Sequence, residues 1–220
     1  MNCLVTAGPT YEPLDSVRRL TNFSTGKLGV ELTNFLHAHG HEVTLLLGEQ
    51  ATHGGEIKTK KLHRFTTTAD LRARLQKISA DPAAPVDAIL HAAAVSDFQF
   101  GKIWTRAADG ELTEVSAGKI STRTGTLLAE LTPTPKLIAD LREWFPNAQL
   151  VGWKFEVDGD HADVIQKAED QLADCDTNAS VANGPAYGSG FGLVTGVGHC
   201  THLKDAAALF TSLEKFLQPG

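Results

Sequence analysis

Two hydroxyl side chains, a glycine and a lysine, residues 24–27 (STGK), directly precede a segment whose apolar residues have helical spacing. The free backbone N–H groups of a helix N-terminus and the helix dipole favour a phosphate or a carboxylate at such a point. The four residues therefore predict an anion site. The plainer alternative is a Ser or Thr helix cap followed by a solvated lysine.

Three well-known nucleotide-binding patterns do not fit this region. A Walker A loop needs glycine and Ser or Thr where Thr21 and Leu28 stand. A dinucleotide fingerprint needs three closely spaced glycines, whereas the glycine that follows Gly8 is Gly26. Neither tyrosine has a lysine four residues later, as short-chain dehydrogenases require. Without a fingerprint, Glu49 is predicted to be an exposed acid rather than a ribose ligand.

Apolar strands alternate with amphipathic helices along the chain. This order is typical of an α/β fold with a doubly wound, mostly parallel Rossmann-like sheet and helices on both faces. The predicted strands are Asn2–Ala7, His41–Leu47, Val86–Ala92, Leu127–Leu131, Leu150–Phe155, Ala179–Ala182 and Phe191–Thr195, and the predicted helices are about Gly26–Ala38, Ala69–Ile78, Pro135–Trp144, Ala162–Ala173 and Ala206–Leu217.

Two long loops follow predicted strands, at Gly8–Thr25 and Ala93–Thr126. Ligands of doubly wound sheets bind at the carboxyl ends of the strands, where the strand order switches. Loops longer than about 12 to 15 residues in a compact domain are usually functional or disordered, and the charged and small residues here favour function. The 220 residues are predicted to form one domain, with a long loop or subdomain at about 93–126.

The composition excludes several classes of protein. Twenty basic and 26 acidic residues give a net charge of −6, which argues against a surface built for nucleic acid or anionic lipid. No apolar window is long enough for a membrane span and no signal peptide is evident, so a cytoplasmic protein is expected. The three cysteines are far apart, which predicts neither disulfides nor zinc. His37, His39 and His41 alternate across a helix end, and no metal ligands are predicted.

The residues of both loops resemble those of a known family. The run AGPTYEPLDSVRRLTNFSTGKLG, residues 7–29, resembles the first motif of phosphopantothenoylcysteine synthetases, also called phosphopantothenate cysteine ligases. AAAVSDF at 92–98 is similar to the family's Ala-Ala-Val-(Ala/Ser)-Asp-(Tyr/Phe) motif, and GKI at 118–120 to its Lys-Ile motif. LTPTPKL, VGWKFE and VAN follow in family order, so the resemblance spans nearly the whole chain.

The resemblance implies a ligase that joins 4'-phosphopantothenate to cysteine, a step of coenzyme A synthesis. The reaction would pass through an acyl nucleotidylate made from ATP or CTP with Mg²⁺. Many bacterial members are fused to an upstream flavin-dependent decarboxylase, whereas this chain begins with the synthetase strand. The stand-alone form without flavin is therefore expected. Family members commonly dimerise, which implies a homodimer.

The resemblance also implies roles for single residues. Asn22 matches the asparagine that holds the acyl nucleotidylate, with an Asx turn as the alternative. Lys119 matches a lysine associated with the phosphates and the second half-reaction, with a solvated loop lysine as the alternative. Arg18 could clamp the phosphate or carboxylate of the substrate, or pair with Glu12 or Asp15 to hold the loop.

Further residues are expected around the nucleotide. Asp97 matches a nucleotide-contacting aspartate, but as a lone residue it would be read as a cap. Trp153 falls near the position of a family aromatic that lies beside the nucleotide, and packing in the core is an equal alternative for it. Lys154 and Lys167 are weaker candidates for the site. The predicted nucleotide- and phosphate-binding residues are Gly8, Thr10, Ser24, Thr25, Gly26, Lys27, Ala93, Asp97 and Trp153.

Some positions depart from the bacterial pattern. Ser121 and Thr122 stand where bacterial members usually have more lysines, and residues 193–195 (LVT) replace an acidic segment. These departures weaken the inference of CTP over ATP but leave the reaction class unchanged. A Rossmann-like NAD(P) oxidoreductase and a non-catalytic nucleotide-binding relative remain as alternatives. The missing fingerprint disfavours the first, and the altered segment after Lys119 keeps the second open.

Overall fold

A buried apolar strand lies at the centre of the fold. Every residue of NCLVTAGP after Asn2 is buried, because this strand pairs with a neighbour on each side and is covered on both faces. The computed structural model describes residues 1–115, 118–121 and 125–218.

Strands and helices alternate along most of the described residues. The strands are β1 (Asn2–Pro9), β2 (Tyr11–Pro13), β3 (Arg19–Thr21), β4 (Glu42–Gly48), β5 (Lys61–Phe65), β6 (Ala88–Ala94), β7 (Phe98–Arg106), β8 (Leu112–Glu114), β9 (Thr126–Pro133), β10 (Gln149–Phe155), β11 (Ala179–Asn183), β12 (Phe191–Gly196) and β13 (His199–Leu203). The helices are α1 (Lys27–Ala38), α2 (Thr68–Ser79), α3 (Leu137–Trp144), α4 (His161–Cys175) and α5 (Ala206–Leu217).

The main sheet has the strand order β13-β12-β11-β10-β6-β1-β4-β5. Its strands from β11 to β5 are parallel to one another, whereas β12 is antiparallel to both of its neighbours. After β1 the chain builds outward through β4 and β5, and then returns to the other side of β1 to place β6. The strand order therefore switches between β1 and β6, and the predicted doubly wound, mostly parallel sheet is confirmed.

Helices cover both faces of this sheet. On one face α1 and α5 pack on side chains such as Val5, and on the other α2 and α3 pack on side chains such as Leu4. Successive residues of a strand point to opposite faces, so β1 contributes to both cores. The helix α4 packs Val164 and Ala168 against β11 and β12. None of the helices in the described ranges is both long and apolar enough to span a bilayer.

The two segments predicted to be long loops contain short antiparallel sheets. Within Gly8–Thr25, β2 and β3 form a hairpin. Within Ala93–Thr126 and beyond it, β7 pairs with both β8 and β9 in a separate three-stranded sheet. The segment Leu127–Leu131 was predicted to continue the main alternation, but it belongs to this smaller sheet. These strands are mostly exposed, so they lack the apolar runs that predict buried strands.

Two strands of the main sheet, β5 and β13, were not predicted. Both lie at an edge of the sheet, and each has a single buried residue, Phe65 in β5 and Leu203 in β13. An edge strand that faces solvent can carry polar residues at most positions, so its sequence reads as a loop.

Candidate functional site

The segments that follow β1 and β6 meet at the point where the strand order switches. The Thr10 amide donates to the Ala94 carbonyl at 3.2 Å, and the Thr10 hydroxyl accepts from the Ser96 amide at 2.8 Å. Thr10 is fully buried. Its side chain therefore joins the two segments, and the predicted ligand Ala93 is held nearby because its amide donates to the Thr6 hydroxyl at 3.2 Å.

Three glycines that are separated in sequence come together beneath this junction. Gly8 and Gly26 both have φ of 76°, the left-handed conformation that glycine adopts readily. A Cβ on Gly26 would lie 3.4 Å from the Cα of Gly8, and a Cβ on Gly29 would overlap the Cβ of Ala7. The tight turn after the first strand and the close helix-to-strand contact, two features of a dinucleotide fingerprint, are thus present. The contiguous motif is absent because the β2–β3 hairpin stands between the first and second glycines.

The N-terminus of α1 opens at the same junction. The N-cap residue of α1 is Gly26, which has no side chain that could accept from the free amides of the helix. The first turn of α1 contains no acidic residue. The Thr25 hydroxyl accepts from the Lys27 amide at 3.3 Å. The Lys27 ammonium is 62% exposed and lies 3.8 Å from a carboxylate oxygen of Glu31, which is 38% exposed, and such a pair is weak. One amide of the first turn is therefore bonded to a threonine, as in the Ser or Thr cap considered for this segment, while the remaining free amides keep the attraction of the helix end for anions.

Asn22 joins the hairpin to the second segment. Its amide nitrogen donates to the Ala94 carbonyl at 3.2 Å and to the Val95 carbonyl at 3.3 Å. These bonds differ from the Asx turn considered as an alternative, because their acceptors lie more than 70 residues away. Asn22 is exposed, and its amide nitrogen already donates to protein carbonyls through these two long bonds. Donation to an oxyanion of a ligand would therefore replace one of them.

Arg18 lies at the tip of the hairpin and pairs with Asp15, one of the two partners considered for it. Its Nη2 and Nε atoms lie 2.5 and 3.0 Å from Asp15 Oδ2, and Nη2 also donates to the Ile120 carbonyl at 2.8 Å. The Arg18 guanidinium holds the pKa of the Asp15 carboxyl far below its usual range. The other acid considered, Glu12, instead accepts from the Thr68 amide at the start of α2. A role of Arg18 on the substrate stays a prediction.

Lys119 is exposed beside this hairpin tip. The structure thus places the two predicted catalytic residues at opposite ends of β3, with Asn22 at the base of the hairpin and Lys119 against its tip. The span from Arg18 to Asn22 is roughly 13 Å at the rise of an extended strand. Thr122, which departs from the bacterial pattern, lies outside the described residues.

The turn after β6 carries the predicted ligand Asp97. Its side chain is exposed, and its carbonyl accepts from the Thr134 amide at 2.9 Å. The Thr134 hydroxyl donates to the Ser96 carbonyl. The TPTP segment therefore rests on the turn that contains Asp97, and a cap formed by the Asp97 carboxylate is not what holds this turn.

Trp153 lies two strands from β1, near the carboxyl end of β10. It is half-buried against the core on the α1 and α5 face, which is the packing alternative considered for it. Within the described part of the chain, its buried Nε1 atom has no hydrogen-bond partner, and neither has Asn183 Oδ1 on the adjacent strand. The role of Trp153 beside a nucleotide stays a prediction.

A carboxylate that the sequence left without a role lies on the same edge. Glu156 is 2.6 Å from the Lys167 ammonium and 3.7 Å from that of Lys154. The hydrogen bond with Glu156 raises the pKa of Lys167. Lys154 and Lys167, the weaker candidates for the site, thus share one acidic partner. Glu156 and Asp15 both lie within the quoted motifs, but pairing across loops is not visible in linear spacing.

Comparisons with known proteins show the family and the fold of the chain. The family model described as DNA/pantothenate metabolism flavoprotein C-terminal domain matches residues 1–213. The chain is 30% identical over 190 residues to the Coenzyme A biosynthesis bifunctional protein CoaBC of Thermococcus kodakarensis, covering 84% of this chain and 42% of that protein. It spans about half the length of the curated relatives it matches.

Solved structures show the same fold. The DNA/pantothenate metabolism flavoprotein from Streptococcus pneumoniae superposes with a TM-score of 0.83 at 24% identity, covering 99% of this chain and 98% of that one. A Cab2 mutant in complex with phosphopantothenate-cysteine superposes with a TM-score of 0.72 at 21% identity, covering 98% and 84%. At these identities the similarity establishes the fold alone.

Proposed function

Because the chain belongs to the family of the DNA/pantothenate metabolism flavoprotein C-terminal domain, we propose that it is a ligase that joins 4'-phosphopantothenate to cysteine. The curated relatives are named for coenzyme A biosynthesis, and one structural neighbour holds phosphopantothenate-cysteine, the product of this reaction. The observation that carries the proposal is the junction at the β1–β6 switch, where the glycine-led N-terminus of α1, Asn22 and the turn of Asp97 come together.

The proposed reaction has two steps. The carboxylate of 4'-phosphopantothenate attacks the α-phosphorus of ATP or CTP, pyrophosphate leaves, and an acyl nucleotidylate forms. The amine of cysteine then attacks the acyl carbon, an amide bond forms, and the nucleoside monophosphate leaves with the bonding electron pair. Both steps build negative charge on oxygens, which fixed hydrogen-bond donors and cations stabilise.

The residues at the junction and at the hairpin tip suit these charges. The N-terminus of α1 and the Lys27 ammonium would bind phosphate oxygens, with Gly8 and Gly26 letting the backbone approach. Asn22 would donate one amide hydrogen to an oxygen of the reacting group, and Lys119 would stabilise the leaving phosphate. Asp97 would accept from a ribose hydroxyl or a base amine, and Arg18 would lie near the substrate acid.

Mg²⁺ is expected to accompany the nucleotide. In the described ranges, no group of three or more His, Cys, Asp or Glu side chains could hold a metal ion. Mg²⁺ usually keeps several waters and takes only one or two protein carboxylates with substrate phosphates. The phosphate oxygens of the nucleotide would therefore hold most of its coordination shell.

Pyrophosphate release tests the proposed function. The protein is incubated with 4'-phosphopantothenate, Mg²⁺ and either ATP or CTP, with and without cysteine. We expect multiple turnovers with cysteine and at most about one equivalent of pyrophosphate without it. Nucleotide binding without pyrophosphate release would favour a non-catalytic relative. Binding of NADPH in place of either triphosphate would favour the oxidoreductase alternative.

We also propose a homodimer. The small sheet of β7, β8 and β9 exposes Phe98 and Leu131 at 45 and 48% of their surface. Both lie at the same end of this sheet, because Leu131 pairs with Phe100, two residues from Phe98. Neighbouring exposed apolar side chains are typical of an interaction surface. Light scattering after size exclusion should give twice the chain mass of 23.5 kDa, and a monomer at micromolar concentration would contradict the proposal.

We further propose that the protein works in the reducing cytoplasm. Cys3 and Cys175 are buried, and all three cysteines are free. Burial raises the pKa of the Cys3 thiol to about 11, and a protonated thiol is unreactive. Titration of the denatured protein without reductant should find three thiols per chain, and a stable disulfide would contradict this location.

A further inference from the structure

The Asp15 carboxylate collects hydrogen bonds from both sides of the hairpin tip. Its side chain has no exposed surface. Oδ1 accepts from the amides of Val17 and Arg18 at 2.9 and 2.8 Å. Oδ2 accepts from the Arg18 guanidinium and from the Ile120 amide, the latter at 3.1 Å. One carboxylate thus connects the hairpin to a segment 105 residues away.

The segment that contains Lys119 is attached to the rest of the protein on both sides of that lysine. The Gly118 carbonyl accepts from the Ser16 amide at 2.9 Å. The Ile120 amide donates to Asp15, the Ile120 carbonyl accepts from Arg18 at 2.8 Å, and the Ile120 side chain is buried. The backbone of Lys119 is therefore fixed between two attachments while its side chain stays exposed.

We propose that Asp15 is a positioning residue, which holds Lys119 at the tip of the β2–β3 hairpin and so in register with the site at the hairpin base. This inference rests on the proposed ligase function, because it assigns Lys119 a part in the reaction. Asp15 itself touches neither substrate nor nucleotide in this proposal. It acts on the Lys119 segment through the Ile120 amide, and through the Arg18 guanidinium that it holds against the Ile120 carbonyl.

The substitution Asp15→Asn removes this attachment with little change in shape. An asparagine has one acceptor oxygen, whereas both carboxylate oxygens accept here. Whichever way the amide is turned, its NH₂ group faces N–H donors, either those of the turn or those of Arg18 and Ile120. A misplacement of a reactive group by about 1 Å can lower a rate by about 100-fold, so we expect product formation to fall by about 10- to 100-fold.

Asp70→Asn is the matched control. The Asp70 carboxylate also pairs with an arginine, Arg74, at 3.0 Å, and also accepts a backbone amide, that of Thr66, at 2.9 Å. Its partners lie just before α2 and within that helix, and in the described ranges none of its hydrogen bonds reaches the Lys119 segment. Both variants lose an Asp–Arg pair, but only Asp15→Asn is expected to change turnover or the exchange of the Ile120 amide.

Two measurements on the full chain test the proposal. Hydrogen exchange of the Ile120 amide, read by NMR, should be at least about tenfold faster in Asp15→Asn than in the wild type or Asp70→Asn. Single-turnover product formation should then show that Asp15→Asn adds no further loss to Lys119→Gln, because a residue that acts only through Lys119 has nothing left to position.

The outcomes separate this proposal from the proposed function. Equal Ile120 exchange in the wild type and Asp15→Asn would overturn the positioning role, whatever the activity. A multiplicative loss in the double variant would also overturn it and assign Asp15 to the substrate through Arg18. If the wild type makes no phosphopantothenoylcysteine, the ligase function fails, while the exchange measurement still decides whether Asp15 holds the Lys119 segment.

Discussion

His91, in the centre of the sheet, is expected to make the protein acid-sensitive. Burial lowers the pKa of His91 from 6.5 to about 4. Its Nδ1 atom lies 2.8 Å from the Thr6 hydroxyl, which also accepts from the Ala93 amide. The Thr6 hydroxyl can donate to a neutral Nδ1 while it accepts from the Ala93 amide. Protonation of His91 would place a cation in this buried position, in contact with the segment that leads into the site.

The direction of the pH effect follows from the depressed pKa. The unfolded chain binds a proton at His91 below pH 6.5, whereas the folded chain does so only near pH 4. Stability is therefore lost as the pH falls through this window. The difference of 2.5 pKa units corresponds to about 3 kcal/mol in total, of which about 2 kcal/mol is lost between pH 7 and pH 5.

The comparison of the wild type with His91→Asn isolates this contribution. Asparagine can still accept from the Thr6 hydroxyl but does not titrate, and its lower overall stability cancels when only the pH dependence is compared. Urea unfolding followed by circular dichroism at pH 5, 6 and 7 gives the free energy of unfolding. The wild type should lose about 2 kcal/mol more than the variant between pH 7 and pH 5. Parallel pH dependence of the two proteins would refute the assignment.

Three further substitutions test the site and its scaffold. Asn22→Ala should lower product formation by about 100- to 1,000-fold, the effect of removing one oxyanion donor. The melting temperature should change little because the residue is exposed, and near-normal turnover would remove Asn22 from the mechanism. Gly29→Ala should cost about 1 to 3 kcal/mol of unfolding free energy, because the new methyl overlaps Ala7, and an unchanged urea midpoint would count against that contact. Thr10→Val should lower the free energy of unfolding by a similar amount, because it leaves the buried Ser96 amide without its acceptor. Chemical denaturation measures this loss, and full retention of stability would show that the amide finds another partner.

The inner strands of the main sheet could be predicted from the sequence because most of their residues are buried. Residues such as those of β1 must then be apolar throughout, and the alternation with amphipathic helices indicates parallel pairing. The final helix, Ala206–Leu217, was predicted with the bounds that the structure has. The smaller strands could not be predicted in this way, since exposed residues of β7 and β9 are free of the requirement for apolar side chains.

The site was predicted in part. Motif resemblance indicated Asn22 and Lys119, but the hydrogen bonds that hold them join residues 72 and 105 positions apart in the chain. Asp15 was considered only as a possible partner of Arg18, because nothing in linear spacing connects it to Ile120. The dinucleotide fingerprint was rejected on spacing, and the structure brings Gly8 and Gly26 together by folding a hairpin out between them.

The sequence by itself determined the fold class, the family and the anionic character of the expected ligands, because burial patterns, motif residues and a lysine at a helix start are local properties of the chain. Only the tertiary structure decided which loops meet, that Arg18 pairs with Asp15 rather than Glu12, and that the hairpin links Asn22 to Lys119. The physical reason is that these contacts depend on strand order, and strand order is set by the packing of the whole sheet.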